Sequence, residues 1–267
     1  MFKIGLIAGV GNLPCEFAKV AKNYGFQVVA IAVVEDYEKS LQEHVSVLYQ
    51  AHIGELDSII NLLKQEQVFA VTMIGKVTKE HLFNGSVRPD MRALKLLQSL
   101  PNQNDDTIML ALVQELASEG IRVMDQSKLL TGLMPKAGVL TERKPTEQEQ
   151  ADIDYGYEMA LRIGQLDIGQ TVVVKNKAIM AVEAIEGTDA CILRGGKLAR
   201  GNAVVAKTAK PAQDNRFDIP CVGVQTIEAM IEAEASVLVM QAEKTLFVDQ
   251  TSVLKLANEH NICIVVK

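Results

Sequence analysis

Between Lys207 and Thr226 the chain reads KTAKPAQDNRFDIPCVGVQT, with two lysines, an arginine and two aspartates punctuated by Pro211, Pro220 and Gly223. Lys207, Lys210 and Arg216 are suited to clamping phosphate oxygens, and Asp214 and Asp218 to holding a metal or orienting a water. The cations and carboxylates could equally pair with one another in a solvated surface loop. Prolines on both sides restrict the backbone, and apolar runs flank it (Ala203–Ala206 and Ile227–Ala235). A loop pinned in this way is a place where binding and catalytic groups concentrate.

Two further segments carry chemistry. Gly9-Val10-Gly11-Asn12 follows the apolar run of residues 3–8 and would let backbone N–H groups approach a phosphate at a helix N-terminus. The third glycine of a dinucleotide fingerprint would fall at Pro14, so NAD or FAD binding is disfavoured. The run AVEAIEGTD, residues 181–189, places Glu183, Glu186 and Asp189 around a glycine turn, a composition that suits Mg²⁺. It also suits a solvent-facing strand followed by Asp189 capping the next helix. His44, His52, His81 and His260 lack metal-ligand spacing, and neither a G-x-S-x-G elbow nor a Cys/His pair is present.

These segments must be positioned by the elements around them. Apolar runs at residues 3–8, 27–33, 45–50 and 68–74 alternate with helical stripes at 54–65, 91–100 and 106–119, and a further strand is expected at 121–124. That pattern predicts a parallel, Rossmann-like sheet in residues 1–132, with Gly11, Gly75 and the Asn104-Asp105-Asp106 turn at its carboxyl edge. Residues 133–147 read as a linker, and 148–267 as a mixed α/β domain. The second domain opens with a helix at 148–163 and a hairpin of 171–175 and 178–185 turning at Asn176-Lys177. It closes with strands at 236–240, 245–248 and 262–266 and a helix at 251–259.

Composition narrows the function classes. The 267 residues are 48% hydrophobic and 22% charged, which describes an ordinary globular chain. A net charge of −6 and absent Trp argue against a general nucleic-acid binder. Cys15, Cys191, Cys221 and Cys263 form no C-x-x-C motif, as expected of buried thiols in the cytoplasm. No apolar run is long enough to span a bilayer, and no signal-peptide pattern is present.

With IGLIAGVGNLP, IGELDSIINLLK, VTMIGKV, DIDYG, LDIGQ, AVEAIEGTDA and KTAKPAQDNRFDIPCVGVQT, the chain resembles the LpxI-type UDP-2,3-diacylglucosamine pyrophosphatases of the Gram-negative lipid A pathway. It departs at Lys76, Glu234 and Glu243, where the family pattern has glycine. The resemblance implies Mg²⁺-dependent hydrolysis, with Mn²⁺ as a substitute, yielding UMP and 2,3-diacylglucosamine 1-phosphate (lipid X) by attack of water on the sugar-side phosphorus. It implies Asp214 or Asp218 as the essential acid, with Glu186, Asp189 and Asp214 near the metal. Lys207, Lys210 and Arg216 would meet the pyrophosphate. Gly187, Thr188, Gln213 and Thr226 would line the substrate, with Gly9, Gly11, Asn12, Gly75 and Asp105 toward the uridine. A homodimer in peripheral contact with the cytoplasmic face of the inner membrane is also implied. The alternatives are a non-catalytic nucleotide-sugar or lipid-binding module and a metal-dependent nucleotidyl or sugar-phosphate transferase.

Overall fold

A computed structural model describes residues 2–77, 89–102, 104–211 and 213–267. The chain divides into two compact units, Met1–Leu130 with Asn215–Phe217, and Thr131–Asp214 with Asp218–Lys267. Among the described residues no helix is long and apolar enough to cross a membrane. His81 lies outside the described residues.

The first unit runs β1 (Lys3–Ala8), α1 (Leu13–Asn23), β2 (Gln27–Ala32), α2 (Leu41–His44), β3 (Val47–Gln50), α3 (Leu56–Gln65), β4 (Ala70–Ile74), α4 (Met91–Ser99), α5 (Asp105–Ser118), β5 (Arg122–Val123) and α6 (Ser127–Leu130). Its strands form one sheet in the order β3-β2-β1-β4-β5, and every pairing is parallel. Period-two alternation sends Ile7, Val29, Ile31 and Val71 into a core closed by Ile59, Ile60 and Leu63 of α3 and Leu116 of α5. The chain order reverses beside β1, so the turns after β1 and β4 lie side by side at the carboxyl edge.

The second unit runs β6 (Gly138–Val139), α7 (Glu147–Gln165), β7 (Thr171–Lys175), β8 (Ala178–Val182), α8 (Thr188–Ala199), β9 (Val204–Lys207), β10 (Cys221–Val222), α9 (Val224–Glu232), β11 (Val237–Met240), β12 (Leu246–Phe247), α10 (Gln250–Glu259) and β13 (Cys263–Val266). Its main sheet has the order β6-β13-β11-β9-β7-β8, parallel from β13 to β9 and antiparallel at both margins. Strands β10 and β12 form a separate parallel pair. Val172, Val174, Val204, Ala206, Val237 and Val239 face α7 through Ile153 and Ala160. Val173, Val205, Leu238 and Met240 face the opposite core, with Ile192, Ile227, Met230 and Val253. Strands buried on both faces need continuous apolar sequence, which is what β7, β9, β11 and β13 have.

The hairpin forms at the expected two-residue turn, with φ of 52° at Asn176 and 56° at Lys177, the left-handed pair of a type I′ turn. Buried Asp152 of α7 accepts both turn N–H groups, at 2.8 and 2.6 Å. The β7–β8 register shifts between Val173 and Val174, so Met180 is an extra residue on β8, a β-bulge. Strand β8 ends at Val182 rather than at Ile185. At two of the departures from the family pattern, Glu234 and Glu243 adopt φ of 51° and 57°, where glycine would be unstrained.

Residues 133–147, read from sequence as a linker, are bound into the second unit. Strand β6 pairs with β13, and Thr141 Oγ1 accepts the Ile264 N–H at 2.9 Å. The Arg143 guanidinium donates to the carbonyls of Ser236 and Asn261 and, in a fork, to Glu149 at 2.8 and 3.1 Å. Thr146 and Glu149 close a capping box at the start of α7. Burial alone would raise the Glu149 carboxyl, but Arg143, the Thr146 N–H and the Ser236 hydroxyl outweigh it and hold the pKa at about 2. A depressed carboxylate contributes stability above its unfolded pKa of about 4.3, and the contribution is lost as pH falls through the folded value. Glu149→Gln is therefore expected to cost about 2 kcal/mol in urea unfolding at pH 7. The gap to the parent should close as the pH is lowered toward 2, and a gap independent of pH would disprove the linkage.

Candidate functional site

The polar centre of the second unit is a row across three strand ends. The Glu183 N–H donates to the Thr171 carbonyl at 2.9 Å, Thr171 stands opposite Lys207 in the β7–β9 register, and Lys207 stands opposite Met240. Residues opposite one another on neighbouring strands share a face, so this row belongs to the α8 side of the sheet. Lys207, expected in a loop, is instead the last residue of β9 and only 5% exposed. Its ammonium donates to Thr188 Oγ1 at 3.1 Å and to the Cys221 carbonyl at 2.8 Å. Thr188 in turn donates to Glu183 Oε1 at 3.0 Å, and Glu183 Oε2 accepts the Gln170 N–H at 3.3 Å. Glu183 is 6% exposed.

Two opposite charges are thus buried with one threonine hydroxyl between them. Burying either charge alone would be prohibitive; here each is hydrogen-bonded and near its counterion. Thr188 is also the first residue of α8, after Gly187 at φ 83°, so the unpaired N–H groups of that helix start at the same place. Asp189 lies in the first turn, where a carboxylate complements the helix dipole; the cap position expected of it belongs to Gly187. Burial pushes the Cys221 thiol up in pKa, against the pull of Lys207.

The other expected residues separate into pairs. Glu186 accepts the Ala184 N–H and pairs with Arg194. Its own backbone N–H and then Arg194 hold its carboxyl below the usual range. Lys210 pairs with exposed Asp167 at 2.8 Å, and its backbone N–H donates to Gln213 Oε1 at 3.1 Å. The Asp218 N–H donates to the Asp214 carbonyl at 2.9 Å, one turn of chain with Arg216 inside it. Thr226 is buried in the first turn of α9. Among the described residues no three His, Cys, Asp or Glu side chains gather as a metal site, so Glu186, Asp189 and Asp214 are not brought together. Buried Gln170 Oε1, Thr208 Oγ1 and Gln213 Nε2 have no hydrogen-bond partner among the described residues.

In the first unit Gly9 and Gly75 meet backbone to backbone. A Cβ on Gly9 would lie 2.7 Å from the Lys76 carbonyl oxygen, and one on Gly75 would lie 2.7 Å from the Gly9 carbonyl carbon. Val10 and Lys76 exchange N–H···O bonds beside them. These two glycines are therefore required by each other. Gly11, at φ 102°, has open space where a Cβ would stand, and the Asn12 carbonyl accepts the Cys15 and Glu16 N–H groups that start α1. Asp105 begins α5, and its side chain lies outside the described residues.

Glu183 is the residue whose place sequence reasoning missed. Its signal was a carboxylate inside AVEAI, readable as a metal ligand or as an outward-facing side chain, whereas the structure makes it the buried counterion of Lys207 through Thr188. Thr171 and the Cys221 carbonyl carry no sequence signal at all. Lys207→Met and Glu183→Gln should each destabilise the fold by about 2–4 kcal/mol, and their combination by less than the sum by about 1 kcal/mol or more. Additive losses in a urea double-mutant cycle would mean that the two charges do not communicate.

The two halves match family models described as the LpxI N-terminal domain, over residues 3–133, and the LpxI C-terminal domain, over residues 136–265. The chain is 32% identical over 270 aligned positions to UDP-2,3-diacylglucosamine pyrophosphatase LpxI of Caulobacter vibrioides, covering 97% of this chain and 95% of that protein. Among solved structures, N5-carboxyaminoimidazole ribonucleotide synthetase in its ADP complex aligns at 15% identity with a TM-score of 0.29, over 74% of this chain and 44% of that one. The biotin carboxylase domain of a thermophilic 2-oxoglutarate carboxylase aligns at 15% identity with a TM-score of 0.27, over 65% of this chain and 35% of that one. Structural similarity at that level carries no argument. The matches across both halves and along nearly the whole Caulobacter enzyme place this chain in the LpxI family.

Proposed function

We propose that the protein hydrolyses the pyrophosphate bond of UDP-2,3-diacylglucosamine to UMP and 2,3-diacylglucosamine 1-phosphate in lipid A biosynthesis, with water attacking the sugar-side phosphorus. The observation that carries the reading is the buried Lys207 ammonium, fixed by Thr188 and Cys221 at the start of α8. An ammonium has three donors, and two are already assigned. The third, with the N–H groups of the first turn of α8, offers a pyrophosphate oxygen preorganised positive charge in a site of low dielectric.

Lys210 and Arg216 add cations to the same loop. The Lys210–Asp167 pair is exposed at Asp167 and so is cheaply exchanged for a phosphate oxygen. The partnerless Gln170, Thr208 and Gln213 atoms support a site that takes a polar occupant, since buried polar atoms are rarely left unsatisfied. Asp214 or Asp218 is the acid that orients the attacking water. Mg²⁺, or Mn²⁺ in its place, supplies charge neutralisation on the pyrophosphate. Mg²⁺ is commonly held by one or two carboxylates plus substrate phosphates, a demand that Asp214 and Asp218 meet while Glu186 stays with Arg194. The first unit's β3-β2-β1-β4-β5 order supports a Rossmann-like assignment, with Gly11 and Asn12 toward the uridine. The working form is a homodimer in the cytoplasm, in peripheral contact with the inner membrane.

Asp214→Ala is expected to lower kcat by about 10³-fold while thermal unfolding stays unchanged. Near-parental hydrolysis by the purified variant would remove Asp214 from the mechanism and leave Asp218. Chelation with EDTA should stop UMP release, and added Mg²⁺ or Mn²⁺ should restore it. Full activity in chelator would refute the metal requirement, and binding of substrate without any UMP release would favour a non-catalytic module.

A further inference from the structure

Leu166, Ile168 and Ile185 are 71%, 47% and 96% exposed, and all three lie on turns beside the polar row of the second unit. Gly169 packs on Glu183 so closely that a Cβ there would lie 2.2 Å from the Glu183 carbonyl oxygen. Ile168 therefore adjoins Glu183 from one side, and Ile185 follows it by two residues on the other. Ile185 is also three residues ahead of Thr188, the hydroxyl that receives the Lys207 ammonium. Leu166 caps α7 at the head of the same turn, where the Ile168 N–H returns to the Ile163 carbonyl. Single exposed apolar residues need no explanation, but an isoleucine at 96% exposure, with two more apolar side chains on the adjoining turn, beside a buried charge cluster does.

We propose that Leu166, Ile168 and Ile185 form the contact for an acyl chain of the substrate, which rests on the reaction proposed above. The substrate's acyl groups sit on the two sugar carbons next to the one bearing the pyrophosphate, so a phosphate held at Lys207 brings the first methylenes to the neighbouring turns. The charges beside the patch favour this occupant over an anionic lipid surface. Lys210 pairs with Asp167, and Arg194 pairs with Glu186, so the rim carries no excess of cations. What remains is apolar area adjoining a polar site, which suits a ligand that is itself a charged head joined to a hydrocarbon chain.

The test compares kcat/KM for UDP-2,3-diacylglucosamine in mixed detergent micelles with kcat/KM for UDP-glucosamine carrying no acyl chain. The ratio of the two should fall about tenfold in the double variant Ile168→Ser/Ile185→Ser. Phe69→Ser, at an equally exposed aromatic of the first unit, should leave the ratio where it was. Unfolding temperatures close to the parent's would exclude misfolding, since these side chains make little packing contact. An unchanged ratio overturns the proposal. So does an unchanged ratio accompanied by lost binding to phosphatidylethanolamine/phosphatidylglycerol vesicles, which would assign the patch to the bilayer instead. If the parent protein hydrolyses neither substrate, the reaction itself falls and the acyl contact with it.

Discussion

A buried ammonium sets the terms for the second unit. Lys207 sits at the end of β9 with its Nζ between a hydroxyl of α8 and a carbonyl of β10, so three elements distant in sequence are fixed by one cation. The cation is tolerable in the interior because every group around it is itself held: Thr188 by Glu183, Glu183 by the Gln170 N–H, and Cys221 by the pairing of β10 with β12. Removing any one member leaves another polar group buried without its partner, so chemistry and stability share the same atoms.

That arrangement depends on α8 lying close to the sheet. A Cβ on Gly195 would lie 2.5 Å from Val173 Cβ, and one on Gly196 would lie 2.3 Å from the Ala233 carbonyl oxygen. Two adjacent glycines weaken a helix in isolation, yet here they let its backbone approach β7 and the end of α9. The approach brings Thr188, at the N-terminal end of the same helix, within reach of Lys207. On the other face α7 is tied to the hairpin by Asp152 and to the sheet margin by the Arg143–Glu149 fork. The sheet is thereby gripped from both sides near the strands that carry the site.

Much of the fold was legible because apolar period reports burial directly. The four long strands of the first unit, its helices from Leu56 and Met91, and the hairpin turning at Asn176-Lys177 all follow from pattern and turn chemistry. Short elements were not: β6 and β10 have two residues each, too few for a period to exist. The extent of α8 was hidden because Gly195-Gly196 reads as a breaker until its packing partners are known. Within the site, residue types in the charged segment were evident but their partners were not. A lysine after Val-Val-Ala looks like the first residue of a loop, and only the register with Thr171 and Met240 makes it the last residue of a buried strand. Gly9 and Gly75 read as separate ligand-binding turns because nothing in the sequence says that they touch.

The extra residue at Met180 decides which side of the sheet receives a charge. Counted from the Asn176-Lys177 turn without it, Glu183 would stand opposite Gln170 and join the α7 side, among Val172 and Val174. With it, Glu183 stands opposite Thr171 and joins Lys207 and Thr188. An insertion or deletion of one residue anywhere in β8 would leave composition, hydrophobicity and turn intact, and would still transfer the carboxylate from one core to the other. The hairpin thus acts as a counting device, whose length in residues matters more to the site than the identity of most side chains along it.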